Sequence, residues 1–142
     1  MASQAHDAFA PRRSFVADAN ISRHTAVVLS GFSNGQAHVN VAGAGDVLIG
    51  VASRDCASGD FVDVIMPNFG ILVQADAEPA AILAGSPLIV EANGLFVLAT
   101  AGAYAYTALE ALASGTGFIE AIALGGELGT AGPTGSMGPG EV

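Results

Sequence analysis

The stretch Leu48–Met66, LIGVASRDCASGDFVDVIM, decides how the rest of the chain is read. Leu48-Ile49-Gly50-Val51-Ala52 is a short apolar run with a glycine inside it. Arg54-Asp55-Cys56-Ala57-Ser58-Gly59-Asp60 carries turn residues: Asp and Ser bond nearby backbone, and Gly takes positive φ. Phe61-Val62-Asp63-Val64-Ile65-Met66 interrupts an apolar run with one acid, the pattern of a strand with one wet face. The stretch is therefore strand, polar turn, strand.

A weaker copy runs from Tyr106 to Leu124. Ser58-Gly59 matches Ser114-Gly115, and Phe61-Val62-Asp63-Val64-Ile65 matches Phe118-Ile119-Glu120-Ala121-Ile122. The offset grows from 56 to 57 because Thr116-Gly117 is one residue longer than Asp60. Upstream, Thr25–Leu29 corresponds to Ser86-Pro87-Leu88-Ile89-Val90 at an offset of 61, and Asn34-Gly35 is answered by Asn93-Gly94. A repeated strand–NG–strand–loop–strand–SG–strand pattern predicts a mainly β body of two related units. The expected fold is a small β-barrel or β-tulip over residues 21–124, with halves of about 21–77 and 78–124.

The first half begins with a hairpin: Thr25–Leu29 is strand-like, Asn34-Gly35 makes the turn, and His38–Val41 alternates polar with apolar. Pro67-Asn68-Phe69-Gly70 turns into a further strand, Ile71–Ala75. In the second half Leu95–Ala99 is the returning strand. Ala103–Ala113, AYAYTALEALA, has the composition of a helix, but the repeat sets Thr107–Ala111 against Leu48–Ala52 and so predicts a strand. Pro79–Leu83 has room for a short helix.

Residues 1–20 form the expected N-terminal arm. Met1–Ala10 has no period, Pro11 breaks structure, and Arg12-Arg13 carries half the positive charge of the chain. An arm lying on a neighbouring subunit is preferred to a frayed terminus. At the other end, residues 125–142 have glycine at 126, 129, 132, 135 and 138, which gives five Gly-X-Y triplets. Glycine at every third position is what three polyproline-type strands need around one axis, and a flexible Gly-rich tail is the alternative.

Composition narrows the function. At 142 residues the chain is one domain, or two small β-units sharing one core. Half the residues are hydrophobic and only 12% are charged, against about 25% in an ordinary domain, so burial against partners is expected. No run approaches the ~20 apolar residues of a membrane span, and MASQAHDAFAPRRSF lacks a signal-peptide core. The chain has no lysine, which removes Schiff-base chemistry, lipoyl attachment and the Walker phosphate lysine. A net charge of −9 argues against a nucleic-acid face. The single Cys56 is expected to be inert.

Reactive groups are scattered. His6, His24 and His38 lie in separate segments without metal-ligand spacing, so no metal or cofactor is expected. Asp60, Asp63, Glu110 and Glu120 recur in both units, and wet strand positions explain them better than a calcium site or an acid/base pair. There is no Gly-x-Ser-x-Gly elbow and no Cys-x-x-Cys, and Gly43-Ala44-Gly45 is too short to cradle a nucleotide. No catalytic residues are assigned, and an enzyme is not expected.

Ile49-Gly50-Val51-Ala52, Ala57–Val64, Ile71-Leu72-Val73 and Ile82-Leu83-Ala84-Gly85-Ser86-Pro87-Leu88 before Asn93-Gly94 resemble bacteriophage capsid decoration, or cement, proteins. In that family an IGVA…A-x-G-D-x-V-x-V segment precedes I-x-A-G-x-P-L…G and a second similar half. The resemblance covers about Ile21 to Leu124. It implies a β-body on the outside of an icosahedral head, often a trimer (a dimer is the alternative), bridging major capsid protein subunits. The partners expected are thus the major capsid protein and the chain itself, with no nucleic acid and no membrane. The neighbour contact is expected at Phe9, Arg12, Arg13 and Phe15, and the oligomer tail at Gly126, Gly129, Gly132, Gly135 and Gly138. The arm and the Gly-X-Y tail depart from the family pattern. A glycan-binding surface module is the main alternative, though the chain has no Trp and only Tyr104 and Tyr106 for stacking on sugars. A small β-barrel hydrolase or isomerase would require convergence among His24, His38, Asp60 and Asp63.

Overall fold

Alternation of apolar and polar residues sets the strands of two consecutive barrels, seen in a computed structural model that describes residues 12–66 and 70–129. The first barrel is built from β1 (Arg12–Ala17), β2 (Ala26–Ser33), β3 (Gln36–Val41), β4 (Gly50–Ala52) and β5 (Phe61–Ile65), closed in the order β1-β3-β2-β4-β5. In β5 the pleat sends Val62 and Val64 inside and leaves Phe61 and Asp63 outside. Phe15, Val27, Val39, Ala52, Val62 and Val64 fill this barrel.

The second barrel repeats the plan. Its strands are β6 (Ile71–Asp76), β7 (Pro87–Val90), β8 (Phe96–Leu98), β10 (Tyr106–Ala108) and β11 (Thr116–Ile122), in the order β10-β11-β6-β8-β7. A short ribbon of β9 (Gly102–Tyr104) and β12 (Gly126–Leu128) stands beside it. The connectivity matches strand for strand. β1 runs parallel to β3 and antiparallel to β5, and β6 runs parallel to β8 and antiparallel to β11. Even the isolated bridges correspond, Ile21 with Cys56 and Ile82 with Leu112.

These pairings move the boundaries expected from sequence. Arg12–Ala17 is a barrel strand, paired from Arg12↔Ile65 to Val16↔Phe61, so the segment 12–20 is not a free arm. Its counterpart Ile71–Asp76 opens the second barrel, which places the division near residue 70 rather than at 77/78. The reason is closure: a five-stranded barrel of this order needs one strand that bonds both the third and the fifth. Among the described residues no α-helix forms. Tyr106–Ala108 is a strand opposite Leu88 and Pro87, so pairing overrides the helical composition of 103–113. The strand ends before Leu109–Ala111, and it matches β4 at an offset of 56. Pro79–Leu83 forms no helix either.

The turns explain several glycines. Asn34 (φ 54°) and Gly35 (φ 77°) close the first hairpin in the left-handed pair favoured by right-twisted strands. Gly50 lies so close to β5 that an added Cβ would meet the Ile65 carbonyl oxygen at 2.2 Å.

The barrels are fused rather than merely linked. One buried cluster joins Ala26, Ala42, Val51 and Ile65 of the first to Ile71, Phe96, Tyr106 and Ile119 of the second. The Gln74 N–H donates to the His24 carbonyl at 2.8 Å, and the Gly94 N–H donates to the Ala42 carbonyl at 2.9 Å. The Arg23 guanidinium lies 4.9 Å over the Phe118 ring, which His24 meets edge-on at 5.5 Å. His24 itself lies in the left-handed region, at φ 63°.

Candidate functional site

The ionisable groups singled out in the sequence turn to separate partners. His38 Nδ1 lies 2.7 Å from Asp18 Oδ1, on the outside of the first barrel. The Ser30 hydroxyl donates to the other oxygen of the same carboxylate. Ser30 therefore bonds the acid rather than the imidazole, which is not the wiring of a nucleophile with its base. Hydrogen bonds from Ser30 and then from His38 hold the Asp18 carboxyl below its ordinary value. Asp63 accepts from the Ser14 hydroxyl at 2.5 Å. His24 is buried at the junction of the barrels.

The repeated acids differ in the two barrels. Asp63 is exposed, but its counterpart Glu120 is buried, contrary to the wet position expected for it. Its backbone N–H donates to Glu110 Oε1 at 2.7 Å, and its side chain lies where a Cβ on Gly70 would stand. Among the described residues no three His, Cys, Asp or Glu side chains form a group able to hold a metal ion. Cys56 is buried in the first barrel, and that burial pushes its thiol above the ordinary value.

The expected contact residues are divided by the fold. Arg12 and Arg13 are exposed at the start of β1, and Arg13 lies 5.6 Å over the Phe15 ring. Phe15 itself is only 5% exposed and packs inside the barrel, so it is a core residue rather than a contact. Phe9 lies outside the described residues. In the tail Gly126 belongs to β12 and pairs with Tyr104, so the first triplet runs as a strand. Gly129 directly follows that strand, and Gly132, Gly135 and Gly138 lie outside the described residues.

Two surfaces missed by the sequence reading remain. One is the outer part of the β2–β3 hairpin, where residues 29–36 are all exposed and none is charged. Phe32 is 74% exposed and Leu29 57%, and the register slips between Leu29 and Gly31. The other is a cleft of about 490 Å³ beside the second barrel, lined by Leu48, Leu88, Phe96, Ala101 and Tyr104 among others. Among the described residues of its lining, Asp46 is the one that is charged. The buried Tyr106 hydroxyl, also in that lining, has no hydrogen-bond partner among the described residues. Burial pushes its phenol well above the ordinary value. The sequence signal for the hairpin was available: a phenylalanine beside an Asn-Gly turn sits where a polar residue is usual.

No protein-family model matches this chain, and no curated protein matches it in sequence. Among solved structures it is similar to the crystal structure of the head fiber gp8.5 N base of bacteriophage phi29, with a TM-score of 0.67. The likeness covers 80% of this chain and 93% of that one at 18% sequence identity, and it shows a shared fold.

Proposed function

We propose that this chain is a bacteriophage virion structural protein that seats its double barrel on the outer surface of the head as a cement, or decoration, protein. It bridges neighbouring major capsid protein subunits and associates with itself, as a trimer, without catalysis, cofactor, nucleic acid or membrane. The observation that carries the reading is the two-barrel fold, shared over 93% of the phi29 head fiber base. The sequence resemblance to decoration proteins points the same way independently. So does a surface with few charges that exposes Phe32, Val47, Leu83 and Leu124. Contacts of that kind are individually modest and gain by acting together across a shell. Arg12 and Arg13, exposed on β1, are the cations of this surface proposed to meet acidic groups of the capsid.

A second reading is favoured by the neighbour's description as the base of a head fiber. Here the barrels anchor an appendage with host glycans as its target. One experiment separates the two. The full chain is added to heads of its phage prepared without it, and occupancy and the temperature of DNA release are measured. Cement predicts saturable binding and a higher release temperature, with occupancy reduced several-fold by the joint change Arg12→Ala and Arg13→Ala. Binding with an unchanged release temperature selects the appendage base, and absence of binding overturns both readings.

A further inference from the structure

The duplication offers one docking contact that the molecule uses only once. The Ala42 N–H donates to the Ala26 carbonyl, and the Ala99 N–H to the Pro87 carbonyl, both at 2.9 Å, at the same place in the two barrels. Thr25, Ala26 and Ala42 thus correspond to Ser86, Pro87 and Ala99. In the first barrel this end receives the hairpin turn of the second. Gly94 sits so tightly there that a Cβ would lie 2.8 Å from the Ala26 carbonyl oxygen. Thr25 and Ala26 are consequently buried, whereas Ser86 and Pro87 are only half-buried. Among the described residues nothing covers Ser86 and Pro87 fully, so the receiving end of the second barrel is partly open there, while Ala99, like Ala42, is buried.

Among the described residues the matching hairpin of the first barrel is also unengaged. Leu29 and Val39 pair, as Val90 and Phe96 do in the second barrel. The offset between these partners falls from 61 to 57, so the β2–β3 hairpin is four residues longer than its counterpart. The extra length carries Phe32, and a Cβ on Gly35 would meet nothing within 4 Å.

We propose that the β2–β3 hairpin of one copy of this chain docks on the Ser86–Pro87–Ala99 end of the second barrel of another copy, with Phe32 entering the adjoining cleft. Leu88, next to Pro87, and Ala101, two residues past Ala99, line that cleft. Its volume of about 490 Å³ accommodates a phenyl ring. Electrostatics favours the hairpin, since the cleft carries a single acid, Asp46, in its described lining. Two copies of net charge −9 repel, so their contact belongs where charges are absent, and the hairpin from Leu29 to Gln36 has none. Hairpin and cleft are different surfaces, so the contact runs head to tail, and the trimer proposed above is the closed ring such a contact makes when three rotations complete a circle. This names the surfaces of the self-association proposed above, and it is tested without heads, so its failure is distinct from failure of capsid binding.

The test measures mass by light scattering for the full chain and for two surface variants, Phe32→Asp and Ala101→Arg, whose folding is checked by circular dichroism. The full chain should form an oligomer, each variant alone should run at the 14.0 kDa monomer mass, and an equal mixture should yield a dimer. The dimer follows because the first variant keeps its cleft and the second keeps its hairpin. A monomeric full chain, variants that assemble normally, or a mixture that stays monomeric would each overturn the proposal.

Discussion

Asp18 shows how one exposed side chain shapes a larger element. It follows β1 directly and binds Ser30 of β2 and His38 of β3, so it ties the root of the long hairpin to the barrel wall. Its pKa is lowered in the folded state, chiefly by the Ser30 hydroxyl and next by His38. A depressed carboxyl pKa means that the ionised form stabilises the fold. The contribution is complete above the ordinary value of 3.8 and is lost as pH falls through the lower folded value. Asp18→Asn should therefore lower the melting temperature at neutral pH, and the gap from the parent chain should shrink below pH 3.8. Melting curves across that range decide it: a gap independent of pH would mean that the carboxylate charge contributes nothing.

At the scale of the element, β1 is the strand that closes the first barrel, and Phe15 is its buried anchor. Truncating such a side chain leaves a cavity and costs about 3–5 kcal/mol. Phe15→Ala should accordingly bring unfolding to a much lower denaturant concentration, whereas a contact in a surface arm would leave the midpoint unchanged. The sequence suggests an arm here because Pro11 and Arg12-Arg13 have no strand-like alternation. A signal for the strand was nevertheless present. Val16-Ala17-Asp18-Ala19-Asn20 parallels Gln74-Ala75-Asp76-Ala77-Glu78, at an offset of 58. A similar contact follows in each barrel, to adjacent residues of the Ser-Gly turn: Asn20 Oδ1 accepts from the Ser58 N–H at 3.0 Å, and Glu78 Oε2 accepts from the Gly115 N–H at 2.6 Å. The two turns were legible because Ser-Gly and Asn-Gly are chemically constrained. Phe32 close to the Asn-Gly turn signals an exposed ring, but nothing local says whether protein or solvent meets it. Glu120 was misread for a related reason: the period of a strand tells which face a residue is on, but not what covers that face.

At the scale of the whole molecule, the fusion of the barrels determines how the protein fails. The shared cluster, the Arg23–Phe118–His24 staple and the Gly94 seat leave neither barrel with a complete surface of its own. Unfolding should then be one cooperative transition, with both barrels lost together. Gly94 is the most exposed point of this arrangement to mutation, because its φ is 71° and the Ala26 backbone stands where a side chain would go. Gly94→Val adds a β-branched side chain to a left-handed position and forces the barrels apart, at a cost of about 2–4 kcal/mol. Calorimetry should show a single peak for the parent chain and a peak at distinctly lower temperature for the variant. An unchanged midpoint would mean that the turn is not seated in solution, and two resolved peaks in the parent would mean that the barrels fold independently. The same result bears on the oligomer. If the seat of Gly94 is strong within the chain, the corresponding partly open end at Ser86 and Pro87 offers another copy a contact of a kind this sequence already knows how to make.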